Sequence, residues 1–414
     1  MTEEQVQETA KAAQAAAAEF RKSGLSKRKA FYVALARLLE ENREAIKSAN
    51  AQDLAAAQAN QLSDAMMDRL TLGDGRIDDL IQAVGEIELF EDPLGASEGR
   101  RLENGLMLQK VSVGIGVVGF IYESRPNVTI DAVALCVKSG NAVILKGGKE
   151  AIYSNEILSE ICIKALKEVG LPEGLVSLLD CSDRAMVGYL VRQEGLVDLV
   201  IPRGGHGLIR RVVEESLVPV IKHDAGNCHI YVEETANQAE ALEIIRNAKT
   251  QRPGVCNALE SLVVDESIAA EFLPKLKEAL ADVELRLCEK SLKYLPEGTP
   301  ATADDFYTEY LGLILSVKSV SGLDEAVNHV QEHSSGHTEA ILTQSLKNSE
   351  LFLQQVDSAV VLCNASTRFS DGGQFGLGAE IGISTDRLHA RGPMGAAQMT
   401  TYKYVVRGDG QIRG

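Results

Sequence analysis

Cys256 has the setting of a nucleophile in the run Gln251-Arg252-Pro253-Gly254-Val255-Cys256-Asn257. A helical stretch, Asn237 to Lys249, precedes it, and an apolar run, Ser261 to Val264, reads as the next strand. The Pro-Gly turn thus holds the sulfur at a junction, where a rigid scaffold aims a nucleophile and the loop leaves room for substrate. Arg252 stands four residues upstream, and a nearby cation favours the reactive thiolate. The competing account of any single cysteine is a small buried hydrophobe.

Two strand ends carry anion-binding chemistry. Ala142-Val143-Ile144-Leu145-Lys146-Gly147-Gly148-Lys149 ends a buried strand in two cations around two glycines. Doubly wound sheets bind dinucleotides at that edge, and two lysines there favour the 2′-phosphate of NADP over the free hydroxyl of NAD. Leu199-Val200-Ile201-Pro202-Arg203-Gly204-Gly205-His206 ends similarly before a helix beginning near Leu208, so Gly204 and Gly205 free backbone N–H groups for a phosphate. Tyr122-Glu123-Ser124-Arg125-Pro126-Asn127 places Asn127 at a helix start. There its side chain is either a cap or an oxyanion donor.

Two motif matches are set aside. Gly114-Ile115-Gly116-Val117-Val118-Gly119 fits GxGxxG, but it runs into a strand and a turn instead of opening a helix, as a dinucleotide fingerprint must. His329, His333 and His337 are four apart, yet Ser334-Ser335-Gly336 ends their helix and no carboxylate partner is evident, so no metal is expected.

The elements that position these groups follow from periodicity. Residues 1 to about 90 are rich in Ala, Glu and Leu with helical spacing. Asn104-Gly105 separates two strand-like runs, a hairpin signal that predicts a type I′ turn. Strands are predicted at Val117–Tyr122, Ala142–Leu145, Leu175–Leu179, Val197–Ile201 and Val218–Ile221. Helices are predicted between them at Val128–Lys138, Asn155–Val169, Arg184–Arg192 and Leu208–Glu215, with Gly140 and Gly170 closing the first two. Such alternation means βαβ units in a parallel, doubly wound sheet. A second α/β series follows His229–Val232 and runs to Ala359–Leu362, and a last strand spans Thr400 to Val406.

Composition narrows the class. The net charge is −17, with 42 basic against 59 acidic residues, which argues against nucleic acid or anionic membrane as a partner. Seven cysteines, an odd number without a CxxC pair, fit neither a disulfide framework nor a zinc ribbon. The acidic N-terminus lacks the apolar core of a signal peptide, and no apolar run is long enough to span a bilayer. The expectation is a soluble cytoplasmic protein.

Together these segments resemble the aldehyde dehydrogenase superfamily over nearly the whole chain: Asn127 after the first strand, Lys146 at a strand end, the Gly204-Gly205 pair, Cys256, then Glu309 in Thr308-Glu309-Tyr310-Leu311-Gly312. The local wording is similar to the branch that reduces an acyl phosphate, notably in the runs 121–129, 252–257, 371–385 and 389–395. The resemblance implies NADPH-dependent reduction of L-glutamyl 5-phosphate to L-glutamate 5-semialdehyde in proline biosynthesis, with phosphate released. It gives Cys256 the nucleophile's place and Asn127 the oxyanion donor's. Lys146 takes the cofactor-ribose site, Gly204 and Gly205 the pyrophosphate turn, and Glu309 the nicotinamide-ribose contact. Asp224 stands where hydrolytic members keep a general-base Glu, which fits a reductase that must not hydrolyse its thioester and leaves the role of Asp224 open.

Arg125, Arg252, Arg368 and Arg391 are candidates for the substrate's phosphate and carboxylate, or for structural ion pairs. The expected fold is two doubly wound α/β domains plus a β-arm oligomerisation element. The NADP-binding domain takes 1–98 and 113–226, the catalytic domain 227–394, and the arm 99–112 and 395–414. A homodimer or homotetramer is expected, with possible transient contact with a glutamate kinase. The competing readings are an NAD(P)-dependent aldehyde oxidiser of the same superfamily and a non-catalytic scaffold.

Overall fold

The structure is a computed structural model and describes residues 1–222, 225–377 and 380–413, without the side chains of 64, 65 and 206. Asp224 lies outside the described residues. Contacts divide the chain into two units. The first comprises Met1–Lys222, Gly376–Gly382 and Met394–Gly414, and the second His223–Phe375 and Ile383–Pro393. The arm strands and the stretch 376–382 thus fall within the first unit.

The first unit opens with helices Glu3–Phe20, Leu25–Glu41, Arg43–Ala59, Asp64–Leu70 and Asp74–Leu89, as the Ala- and Leu-rich spacing predicts. The hairpin follows as β1 (Ser97–Arg101) and β2 (Met107–Gly114), antiparallel, with Arg101 opposite Met107. The type I′ expectation fails. Gly105 has φ +86°, but Asn104 is not among the positive-φ residues. Gly105 N–H donates to Leu102 O, and Leu102 N–H donates to Leu106 O. This is a turn closed by a left-handed glycine, which needs positive φ at one position only.

The doubly wound sheet is built from β3 (Val117–Tyr122), β4 (Ala142–Lys146), β5 (Val176–Leu178) and β6 (Leu199–Arg203) in the order β5-β4-β3-β6, all parallel. The expected strand at Val218–Ile221 reduces to a single bridge between Val200 and Val220. Strands β3 and β4 are buried throughout, as two-faced coverage requires. Helices Asn127–Lys138, Ile152–Glu168 and Ala185–Leu190 connect them in turn, and His206–Glu215 follows β6. Gly140 and Gly170, at φ +77° and +66°, follow the first two, where a left-handed residue ends a helix at low steric cost.

The C-terminal strand Thr400–Arg407 does not wait for another subunit. It pairs antiparallel with β2 of its own chain, Thr400 opposite Gly114 and Arg407 opposite Met107.

The second unit is one parallel sheet of seven strands: β7 (Cys228–Val232), β8 (Leu259–Asp265), β9 (Glu284–Leu287), β10 (Thr299–Pro300), β11 (Ile314–Val320), β12 (Thr338–Leu342) and β13 (Val360–Cys363). Their order is β10-β9-β11-β8-β7-β12-β13. One apolar cluster includes Ile230, Leu262, Phe272 and Leu315, and another Tyr231, Val263, Val320 and Phe352. Neighbouring strand residues thus face opposite cores, as the period of two demands.

Candidate active site

In the second unit, helix Gln238–Thr250 ends just before the Pro-Gly turn and β8 begins at Leu259, so Cys256 lies at the amino edge of a central strand. Three more segments converge there by topology: Gly226 precedes β7, Glu309 precedes β11 and Ser335 precedes β12. Gly226 N–H donates to Glu309 Oε1 at 2.8 Å. A Cβ built on Gly226 would collide with the Cys256 carbonyl, so the two backbones can meet only because this residue is glycine. Cys228 Sγ donates to the Cys256 carbonyl at 3.2 Å, and Cys228 is fully buried while Cys256 is only partly so. Among the seven cysteines, then, Cys256 combines a turn, partial exposure and a backbone held from two sides.

Asn257, next in sequence, is anchored by Nδ2 to Ser370 O at 2.8 Å. Arg368 donates from Nη1 to Asn257 Oδ1 and from Nε to Gln251 Oε1 at 2.9 Å. Its pKa is lowered by burial, with Arg252 also pushing it down and Asp371 and Cys256 opposing. Arg368 therefore bridges both ends of the Cys256 turn. Arg252 is exposed. Arg391 is engaged elsewhere, donating to Asp357 Oδ1 and Asp357 O, each at 2.7 Å.

Sequence reading missed the buried pair beneath this turn, Lys249 and Glu260, whose Nζ and Oε2 are 2.5 Å apart. It also missed Gly226. Nothing in the spacing marks the Lys249–Glu260 pair, because two types common in helices and strands meet only when the turn folds back. The histidine helix ends at His333, where the serines end it, and His333 Nδ1 approaches His329 O at 2.8 Å. Burial, with His229 and His333 nearby, pushes His329 down to about 2. His337 lies beyond the helix, beside Thr338 Oγ1 at 2.8 Å.

In the first unit, Asn127 is the first residue of its helix and makes no cap bond; its Nδ2 donates to Asp131 Oδ2 at 3.0 Å. Arg125, two residues earlier, is partly buried. Lys146 ends β4 with its ammonium turned inward, donating to Gly147 O at 2.7 Å and Cys181 O at 3.2 Å, and burial lowers its pKa. Lys149 is exposed in the next short turn, so the two cations occupy different environments. Gly205 N–H donates to Glu123 Oε2 at 3.0 Å, and a Cβ on Gly204 would meet that same carboxylate. A carboxylate thus already sits on the turn predicted to hold phosphate, and Glu123 is a further residue the sequence left unassigned.

Residues 1–289 match the aldehyde dehydrogenase family. The chain belongs to this family. Within it, the gamma-glutamyl phosphate reductase of Carboxydothermus hydrogenoformans is 52% identical over 383 residues, covering 92% of each chain. That of Nitratiruptor sp. is 50% identical over 406 residues, covering 97% of this chain and 98% of the other. The crystal structure of gamma-glutamyl phosphate reductase from Thermotoga maritima superposes with a TM-score of 0.97 at 45% identity, covering 99% of this chain and all of that one.

Proposed function

We propose that this protein catalyses the NADPH-dependent reduction of L-glutamyl 5-phosphate to L-glutamate 5-semialdehyde through a thioester on Cys256. The observation that carries the reading is the Cys256 turn, locked by Gly226 and tied through it to Glu309, in a chain about half identical to gamma-glutamyl phosphate reductases over nearly all its length.

The Cys256 thiolate attacks the acyl carbon, and the C–O bond to phosphate breaks to leave a thioester. Asn127, held by Asp131, is the donor assigned to the developing oxyanion. Phosphate is already a good leaving group, so no strong general acid is required. NADPH, when bound, supplies the hydride that reduces the thioester, and the thiohemiacetal then expels the Cys256 thiolate to give the aldehyde. The residues fit that cofactor: the Gly205 N–H already donates to an anionic oxygen of Glu123, Lys146 and Lys149 offer cations near one strand end, and Glu309 is assigned to the nicotinamide ribose. Arg125, Arg252 and Arg368 remain candidates for the substrate's anions.

The same reading places the enzyme in the cytoplasm as a homodimer or homotetramer, in proline biosynthesis, taking its acyl phosphate from a glutamate kinase. The reverse reaction tests the activity. Glutamate semialdehyde should reduce NADP only when inorganic phosphate is present. Equal reduction without phosphate would mark an aldehyde oxidiser instead, and no reduction under either condition would reject both.

A further inference from the structure

The Cys256 turn and the Glu309 segment are joined by a buried ion pair beneath them. Lys249 lies in the last turn of helix Gln238–Thr250, and Glu260 is the second residue of β8. Both side chains are fully buried, and they meet at 2.5 Å, so the pair closes the base of the segment 250–258. Glu260 has a second oxygen, and Oε1 accepts the Leu311 N–H at 3.1 Å. Leu311 holds φ +53°, left-handed for a residue with a Cβ, a strained conformation that persists only where its surroundings fix it. Two residues before it, Glu309 accepts the Gly226 N–H, and Gly226 packs on the Cys256 backbone. Between them Tyr310 donates to Asp305 Oδ1 at 2.8 Å beneath the Arg286 guanidinium, 5.2 Å from its ring. The contacts form a closed circuit: Cys256 turn, Lys249, Glu260, Leu311, Glu309, Gly226, Cys256.

We propose that Lys249 and Glu260 are positioning residues for the reaction, with Glu260 setting the Glu309 segment against the nucleophile turn through the Leu311 N–H. A buried ion pair is a poor source of net stability, because the desolvation of both charges offsets their attraction. Stability alone therefore does not account for a fully desolvated pair at this place, whereas geometry does. The part played by Glu309 in turnover rests on the reading above; the positioning of its backbone does not.

The test compares two double variants of the full chain. Lys249→Met/Glu260→Gln removes both charges and keeps a carbonyl oxygen for Leu311. Lys249→Met/Glu260→Leu removes that acceptor as well. Hydrogen–deuterium exchange of residues 308–312 should rise about tenfold only in the variant with Leu at 260, with thermal midpoints of the two doubles alike. In that variant kcat should fall about tenfold or more, with KM for glutamate semialdehyde within about threefold, and Gln at 260 should restore most of the loss. Equal exchange in the two doubles would overturn the proposal. If neither variant folds, the wild type decides: the Leu311 amide must exchange as slowly as those of β8, and exchange at the rate of an exposed loop overturns it. A wild type without phosphate-dependent NADP reduction would reject the proposed activity and leave the exchange comparison intact.

Discussion

Asn127 and Asp131 stand one helical turn apart, and their hydrogen bond decides how the amide of Asn127 faces. Burial pushes the Asp131 carboxyl up to about 6, against the Asn127 hydrogen bond and the Arg203 charge. The folded state therefore keeps this proton to higher pH than the unfolded chain, and this group's contribution to stability declines as pH rises from about 4 to about 6. Asp131→Asn removes that slope, so urea midpoints should favour the variant over wild type more at pH 7.5 than at pH 4.5. The opposite order would show that the ionised form is the favoured one in the fold. On the proposed mechanism, Cys256→Ser should lower kcat by about a thousandfold or more with NADPH affinity little changed, since a hydroxyl without a dedicated base is a far poorer nucleophile. Most of the wild-type kcat remaining would remove Cys256 from the mechanism. Lys149, exposed beside the strand-end glycines, should repel the 2′-phosphate once replaced by Glu. Lys149→Glu should then shrink the NADPH-to-NADH ratio of kcat/KM by about tenfold or more, and an unchanged ratio would place Lys149 outside the site.

At the level of elements, the amino edge of the parallel sheet collects four turns, and these turns, rather than the strands, set the geometry. The strand and helix around Cys256 are legible because their apolar periods are long: the helix predicted at Asn237 to Lys249 spans Gln238–Thr250 with Asn237 as its cap, and β8 extends the predicted strand by two residues at its start and one at its end. Contacts between turns far apart in sequence leave no such trace. The Glu309–Gly226, Glu260–Leu311 and Glu123–Gly205 bonds join residues that no local pattern relates. The hairpin shows a finer failure. Asn-Gly marks where the chain reverses, but cross-strand register chooses the turn type, and here Leu102 pairs with Leu106 around a single left-handed Gly105. The strand expected at Val218–Ile221 has apolar residues enough, yet only Val220 reaches Val200 as a sheet partner. Gly226→Ala tests the interlocked turns directly. Its methyl would fall on the Cys256 carbonyl, so one backbone must shift, and a displacement of about 1 Å at a nucleophile can cost about a hundredfold in kcat/KM. Activity within about twofold of wild type, in a variant of unchanged thermal midpoint, would show that the turns part without consequence.

For the whole molecule, association must contend with a net charge of −17, which makes identical copies repel at long range. Any stable contact between copies therefore has to come from apolar surface and backbone pairing over a short distance. The arm offers both. Among the described residues the Thr400–Arg407 strand is paired with β2 on one side only, and Tyr402, Tyr404 and Val406, which alternate along it, are 52%, 60% and 52% exposed. An unpaired edge beside exposed aromatic residues is the kind of strand that proteins cover, and a two-fold axis lets the same patch on a second copy cover it. The in-chain pairing sharpens what truncation does. Removing residues 400–414 strips β2 of the partner that spans it from Met107 to Gly114, and it also deletes the surface offered to another copy. The truncated chain should therefore run as a monomer by light scattering and lose solubility, because a second apolar edge opens as the first disappears. An intact protein that is monomeric at micromolar concentration would exclude the arm as an oligomer contact. A truncated protein that keeps the oligomeric mass of the intact chain would place the interface elsewhere.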